Sequence, residues 1–187
     1  KLNEEKFSKI ISSNDPFGFD VREKNSYRRV KPKFKLKPFQ GSVSFYYNGW
    51  KRKGKGFIEK NQIKKNLNLI EDKKIFIPKA WGNGDLNNDL IKPFVVEGNS
   101  CCTETYLMIG PFRDGKKIKN IISYMNTKFF HLMLLMMKNT QNAMKKVYSL
   151  IPLQNFDEEW NDEKLYKKYG LNKEEIDFIE KMIRPLK

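Results

Sequence analysis

The sequence predicts an α+β fold: a mixed, mostly antiparallel twisted sheet with one long packed helix and a C-terminal helical hairpin. Segments rich in β-forming residues recur in the first 110 positions, and one of them precedes Asn48-Gly49, a strong hairpin-turn signal. An amphipathic stretch then runs from Gly115 to Lys138. Two shorter helical segments, each preceded by an asparagine that can cap a helix, end the chain.

The strand predictions rest on β-branched and aromatic residues bounded by turn formers. Strands are expected near residues 43–58, 74–78, 93–97 and 105–110, with a loop at 98–105. The first of these ranges contains Asn48-Gly49, so it is expected to fold into a hairpin. Upstream, lysines alternate with apolar residues inside the basic run Arg22–Gln40, which predicts an extended edge segment or a mobile arm.

The helix predicted from about Gly115 to Lys138 presents a broad apolar stripe that would pack on the sheet. Charge and spacing change after this helix, where the remaining chain becomes polar and helical. We therefore expect an α+β domain over residues 1–154, followed by a helical appendage over residues 155–187.

Capping residues define the two helices of the appendage. Asn161 can cap a helix over residues 162–169, and Gly170 stands where a helix commonly ends. Asn172 can cap a second helix over residues 173–183, whose first turn carries acids that the helix dipole favours. The pattern predicts a helical hairpin.

Positive charge is concentrated in one segment. The chain carries 37 Lys and Arg against 22 Asp and Glu, a formal net charge of +15 at pH 7. Residues 22–65 hold 15 Lys and Arg with two acids, whereas residues 155–187 hold nine acids and seven bases. Compositional drift would spread basic residues evenly, so this asymmetry favours a polyanionic partner such as nucleic acid or anionic lipid.

The cysteines and the most apolar stretch bear on the cellular compartment. Cys101 and Cys102 are adjacent, and disulfide geometry disfavours a bond between such neighbours. With a single histidine, the chain has no zinc-type ligand set. The apolar stretch Ile118–Met137 is interrupted by charged and amide residues, so it falls short of a membrane span. We expect a reduced, cytoplasmic protein with no membrane partner.

Basic and aromatic residues surround the predicted hairpin turn. Lys and Arg bind phosphates and release counterions, and aromatic rings can stack or wedge against bases. The candidate DNA-binding residues at this turn are Trp50, Lys51, Arg52, Lys53 and Lys55. The alternative, a solvated hairpin whose aromatic residues belong to the core, stays open.

Two other loops carry candidates for base reading. Trp81 and Asn83 stand in a glycine-containing loop that allows close backbone approach, and Gln141 and Asn142 follow the long helix. Side-chain amides can read adenine edges, although they are equally good helix caps. The remaining candidate DNA-binding residues are Arg28, Arg29, Lys79 and Lys145.

No catalytic residue and no metal site is expected. The chain lacks a phosphate-cradling glycine fingerprint, and His131, its one histidine, lies within the apolar helix, where we expect a structural role. One alternative is a small stand-alone nuclease that holds Mg²⁺ with Asp85, Asp89 or Glu97. A second alternative is a basic RNA-binding module, which would show the same basic segment.

Several motifs resemble those of a known family. They are Asn14-Asp15-Pro16-Phe17-Gly18, Lys79-Ala80-Trp81-Gly82-Asn83-Gly84, Asn99-Ser100-Cys101-Cys102-Thr103-Glu104-Thr105-Tyr106, Lys138-Asn139-Thr140-Gln141-Asn142-Ala143 and Trp160-Asn161-Asp162-Glu163-Lys164-Leu165-Tyr166-Lys167-Lys168-Tyr169-Gly170-Leu171. Over about Asn14 to Pro185, the chain resembles the C-terminal region of bacterial adenine-specific DNA methyltransferases and type IIG-like restriction-modification enzymes. That region is related to TaqI-type recognition domains and type I specificity subunits.

The resemblance implies a target-recognition domain that binds duplex DNA beside a methyltransferase domain of the same polypeptide or complex. The family's catalytic Asn-Pro-Pro-Tyr motif is absent from this sequence. We therefore expect no cofactor in this fragment, while S-adenosylmethionine is implied for the parent enzyme. Because the chain begins with Lys1 rather than Met, we expect it to be part of a longer polypeptide.

Overall fold

The computed structural model describes residues 4–20, 32–80, 92–137 and 143–183, and it confirms the α+β fold class. The chain divides into two compact units that alternate along the sequence. The first, here called the sheet unit, comprises Ser12–Ile77 and Phe94–Arg113. The second, here called the helical unit, comprises Lys1–Ile11, Pro78–Pro93 and Asp114–Lys187.

Among the described residues, six strands form two small sheets instead of the single sheet predicted. The strands β1 to β6 are Ser42–Tyr46, Gly56–Glu59, Lys73–Pro78, Phe94–Val96, Ser100–Cys102 and Tyr106–Phe112. Their order is β2-β1-β5 in one sheet and β4-β3-β6 in the other. Phe45 of β1 stands opposite Gly56 of antiparallel β2 and beside Cys101 of parallel β5. In the second sheet, Ile75 of β3 stands opposite Val95 of antiparallel β4.

Strand β5 lies inside the segment predicted as a loop. Gly98 and Asn99 are typical of turns, and the three residues of β5 that follow them are too few to show a strand period. Asn99 adopts a left-handed conformation, with φ of 51°, and its side-chain amide donates to the carbonyl oxygen of Ser42 over 2.9 Å. This contact holds the turn against β1, so that the residues after it pair with β1 as a strand.

The connection between β1 and β2 also differs from the tight hairpin predicted. The two strands are antiparallel, as expected, but a short helical turn, α1 (Trp50–Lys53), stands between them. Gly49 and Gly54 flank this turn with φ of 92° and 87°, a region that glycine enters at little cost. The residues predicted to begin the return strand therefore wind into a turn, and β2 begins only at Gly56.

The extended edge segment predicted from the basic run is seen at residues 32–35, while residues 22–31 of the run lie outside the described ranges. Lys35 and Phe57 of β2 exchange both backbone hydrogen bonds, at 2.9 and 2.8 Å. The Gln62 side chain accepts from the Lys33 amide at 2.9 Å and donates to the Lys33 carbonyl at 2.8 Å. The segment therefore follows the outer edge of β2.

Lys74 on β3 is fully buried in the core of the sheet unit. Its Nζ atom donates to the Ile70 carbonyl at 3.0 Å, and to the Ser100 carbonyl and hydroxyl at 3.2 and 3.1 Å. Burial lowers the pKa of Lys74 to about 8, an effect that neighbouring Cys101 and Cys102 partly oppose. Because three acceptors satisfy the ammonium group, this lysine joins β3 to β5 and presents no charge to solvent. Both cysteines are buried and free.

The helical unit contains four α-helices among its described residues. Helices α2 to α5 are Gly115–Met125, Lys128–Met137, Asp162–Tyr169 and Lys173–Met182. Short 3₁₀ helices occur at Phe7–Ile10 and Lys145–Ser149, and in the sheet unit at Lys60–Gln62 and Leu67–Leu69. No helix in the described ranges is long and apolar enough to cross a membrane.

The long helix predicted from Gly115 to Lys138 is interrupted between α2 and α3. The Thr127 hydroxyl donates to the Tyr124 carbonyl at 2.8 Å and accepts from the Phe130 amide at 3.1 Å. The Asp162 carboxylate accepts from the amides of Lys128 and Phe129 at 3.0 and 2.9 Å. These acceptors satisfy the amides that begin α3, so a new helix starts where the apolar pattern alone predicts continuation.

The two C-terminal helices are confirmed with their caps. Asn161 accepts from the Lys164 amide at 2.9 Å, and Gly170 ends α4 with φ of 63°. Asn172 and Glu175 form a reciprocal capping box at the start of α5. Both helices pack against α3, which precedes residue 154 and belongs to the same unit. The predicted boundary between a domain over residues 1–154 and an appendage over residues 155–187 stays a prediction.

Candidate nucleic-acid interface

The turn between β1 and β2 is held by its own backbone. The Trp50 amide donates to the Tyr47 carbonyl at 3.1 Å, and the Gly54 amide donates to the Trp50 carbonyl at 2.7 Å. The amides of Arg52 and Lys53 both donate to the Gly49 carbonyl, at 3.0 and 3.1 Å. These bonds close the chain into a compact turn, which fixes the positions from which its long side chains extend.

Trp50 anchors this turn on a group of aromatic rings. Its ring centroid lies 4.9 Å from that of Tyr46 and 5.2 Å from that of Phe94. Phe94 in turn contacts Phe76 and Tyr106 in edge-on geometry, at 5.9 and 5.7 Å. Trp50 is half-buried, which agrees with the alternative that the aromatic residues of this hairpin belong to the core. Its contact with DNA stays a prediction.

Four cations extend from this turn, and we call Lys51, Arg52, Lys53 and Lys55 together the cationic turn. All four residues are exposed, and none forms an ion pair within the described part of the chain. Two of them stand near aromatic faces, since Lys51 Nζ lies 5.8 Å from the centroid of Phe94 and Lys55 Nζ lies 6.0 Å from that of Tyr46. The turn therefore concentrates positive charge that no carboxylate in the described ranges offsets through an ion pair.

In the helical unit, several lysines form ion pairs with nearby carboxylates. Lys164 pairs with Glu158 at 3.3 Å, and Lys168 pairs with Glu4 at 2.8 Å. Lys117 similarly pairs with Asp157. These three lysines have local acidic partners, as do Lys60, Lys65 and Lys73 of the sheet unit, whereas no such pair occurs on the cationic turn within the described ranges.

The other predicted DNA-binding residues are dispersed. Lys145 is exposed at the start of a 3₁₀ helix in the helical unit. Lys79 belongs to the same unit but is only 9% exposed, and its carbonyl accepts from the Ala143 amide at 2.8 Å. This burial makes Lys79 a poor surface contact. Arg28, Arg29, Trp81, Asn83, Gln141 and Asn142 lie outside the described residues.

Sequence reasoning missed a second basic surface in the sheet unit. Lys33 and Lys35 of the edge segment and Lys64 line one groove together with aromatic rings. The alternation of lysine with apolar residues was the available signal, but it could not show which residues stand across from the segment. The pairing of Lys35 with Phe57 brings these distant parts of the sequence together.

Acidic residues in the described ranges do not gather into a group of three or more metal-ligating side chains. Glu97, one carboxylate of the alternative nuclease site, is exposed and pairs with Lys73 at 3.0 Å. Asp85 and Asp89 lie outside the described residues. The nuclease alternative therefore rests on sequence positions alone.

His131 is 1% exposed in α3, and burial lowers its pKa to about 4. The unfolded chain takes up the imidazole proton near pH 6.5, so the free energy of unfolding should fall as the pH drops from 6.5 towards 4. We expect the unmodified chain to lose about 2 kcal/mol more than His131→Phe between about pH 7 and 5, measured by urea unfolding. Equal losses in the two proteins would show that His131 does not titrate as a buried group.

The chain can be compared with known proteins. No protein-family model, curated protein or solved structure matches this chain. The resemblance of its motifs to restriction-modification enzymes therefore stays a prediction.

Proposed function

We propose that this chain binds duplex DNA in a sequence-specific manner, as the target-recognition domain of a restriction-modification adenine methyltransferase. The observation that carries the proposal is the cationic turn, four exposed cations on a hydrogen-bonded turn that form no ion pair with any carboxylate of residues 4–20, 32–80, 92–137 and 143–183. Methyl transfer would belong to a separate methyltransferase domain, which would bind S-adenosylmethionine. This fragment would supply specificity and no catalytic residue.

Phosphate binding follows from the chemistry of the turn. Each lysine or arginine that neutralises a DNA phosphate releases condensed counterions, and this release drives association. The four side chains repel one another in the free protein, so a polyanion relieves an unfavourable interaction as well as forming new ones. The backbone bonds of the turn limit the conformational entropy lost on binding.

Sequence reading requires other residues, because phosphate contacts position a protein without identifying bases. The amide side chains of Asn83, Gln141 and Asn142 are the proposed base readers, since an amide can donate to and accept from adenine in the major groove. The motif resemblance to adenine-specific methyltransferases supports this assignment. Arg28, Arg29 and Lys145 are proposed as additional phosphate contacts.

A competition experiment distinguishes duplex DNA from RNA as the partner. The full chain would be bound to a labelled duplex at moderate salt and challenged with unlabelled duplex or with structured RNA. We expect duplex DNA to displace the label at much lower concentration than RNA, because a duplex reader is shaped to the B-form major groove. More effective displacement by RNA would refute the proposal and support the RNA-binding alternative.

A further inference from the structure

We propose that a groove in the sheet unit, separate in its lining residues from the cationic turn, binds single-stranded DNA. The groove has a volume of about 860 Å³, a size typical of ligand sites, and all its lining residues belong to the sheet unit. The residues that carry the inference are the aromatic Phe34, Phe39 and Phe57 and the basic Lys33, Lys35 and Lys64.

The walls of the groove are held by specific contacts. The paired backbone hydrogen bonds between Lys35 and Phe57 fix the edge segment against β2, and the Gln62 amide fixes Lys33. On the other side, the Lys64 amide donates to the Phe17 carbonyl at 3.0 Å. The groove is therefore built by hydrogen bonds on both walls.

The position of the Phe34 ring in the groove depends on its close approach to β2. A Cβ atom at Gly56 would lie 2.6 Å from the ring of Phe34, so only glycine leaves room for this ring against the strand. The ring centroid of Phe34 lies 4.6 Å from that of Tyr47 and 5.6 Å from that of Phe45. Even so, Phe34 remains 39% exposed. Because the Phe34 ring packs on other rings yet stays partly accessible, it is suited to stacking with a base.

The residues that line the groove carry net positive charge. Three lysines line it against one carboxylate, Glu59, whose oxygen accepts from the Asn61 amide at 3.2 Å. Lys35 Nζ lies 4.9 Å from the centroid of Phe39, so a cation stands directly beside an aromatic face. A lining that combines lysines with aromatic rings is complementary to the phosphates and bases of a nucleotide strand.

Unpaired nucleotides match this combination better than a duplex does. Proteins that bind single strands combine a positive groove with aromatic rings on which bases stack. In a duplex the base faces are already stacked, so they cannot reach rings inside a groove. The choice of DNA rests on the proposed function, whereas the lining of the groove requires only an unpaired strand.

The test measures binding of the full chain to labelled oligodeoxythymidine of about ten nucleotides, beside a duplex of matched length. Phe34→Leu keeps an apolar side chain but removes the stacking surface, and we expect about tenfold weaker binding of the single strand. The pair Lys33→Gln and Lys35→Gln should lower the salt dependence of single-strand binding by about 1.4 in slope. Lys37→Gln, an exposed lysine of the same segment that does not line the groove, is the control.

The outcomes separate this site from the cationic turn. Loss of single-strand binding with duplex binding retained supports the groove as the binding site. If Phe34→Leu fails to fold, the single-strand binding of the lysine pair variant provides the test. Absent binding of the oligonucleotide, equal weakening of both ligands, or an effect of Lys37→Gln as large as that of the pair would overturn it. Tighter binding of oligouridine than of oligodeoxythymidine would overturn the choice of DNA. None of these results depends on variants of the cationic turn.

Discussion

Neutralising the three cations of α1 together, by Lys51→Gln, Arg52→Gln and Lys53→Gln, is expected to weaken duplex binding at least about tenfold near 0.1 M salt. Each lost phosphate contact should lower the slope of log affinity against log salt by about one, so the slope should fall by about three. The loss should be similar on every duplex sequence, because phosphate contacts carry no base information. Binding titrations at several salt concentrations measure both quantities.

The matched control removes the same charge from the helical unit. Lys116→Gln, Lys117→Gln and Lys119→Gln neutralise three exposed lysines of α2. If affinity depended only on net charge, this variant would weaken binding as much as the α1 variant does. We expect a much smaller effect and an unchanged salt slope. Similar losses in both variants would show that the cationic turn has no special role.

Replacing Gly98 by alanine is expected to destabilise the fold by about 3 kcal/mol. A Cβ atom at this position would lie 2.0 Å from the carbonyl oxygen of Glu71 and 2.9 Å from its carbonyl carbon. Both atoms belong to the backbone, so no side chain can move aside to relieve the clash. The Ser100 amide donates to the nearby Ile70 carbonyl at 3.1 Å, which holds the two segments together. The substitution must therefore break this contact or distort the backbone.

Gly115→Ala is the control for this prediction. No atom lies within 4 Å of the Cβ position at Gly115, which opens α2, and alanine favours helix. We expect its free energy of unfolding to stay within about 0.5 kcal/mol of the unmodified value, or to rise slightly. Urea unfolding of the two variants measures the difference. A Gly98→Ala chain as stable as the Gly115→Ala chain would contradict the close approach.

Local features of the fold could be predicted from sequence. Asn161, Gly170 and Asn172 define the terminal helices because a cap is satisfied by residues a few positions away. The break between α2 and α3 could not be predicted in this way. One of its caps is local, since the Thr127 hydroxyl accepts from the Phe130 amide, but threonine also occurs inside helices. The other cap depends on Asp162, whose carboxylate reaches the Lys128 amide from 34 positions along the chain, and no local pattern contains that contact.

The candidate site shows the same limit. The basic residues of the cationic turn were evident from charge and from Asn48-Gly49, but the packing of Trp50 on Phe94, which anchors the turn on the sheet unit, joins residues far apart in sequence. The groove was missed because the pairing of Lys35 with Phe57 is equally nonlocal. Sequence thus identified the charge, while tertiary contacts determine where the charge is presented.

Some residues of the resemblance motifs perform structural tasks in the sheet unit. The Asp15 carboxylate accepts from the amides of Gly18, Phe19 and Asp20 at 3.1, 2.9 and 3.1 Å. Asn99 similarly holds its turn against β1. Residues of these motifs stabilise the fold, so the motifs alone do not establish a function. The DNA-binding role that the resemblance implies needs an independent test of sequence-specific binding.

Selection from a pool of randomised duplexes tests sequence-specific binding most directly. The full chain would be incubated with the pool at moderate salt, and the bound duplexes would be recovered and sequenced. The proposed role in target recognition predicts that one sequence is enriched and binds about a thousandfold more tightly than its scrambled form. Recovery of an unenriched pool, with equal affinity for selected and scrambled duplexes, would contradict it.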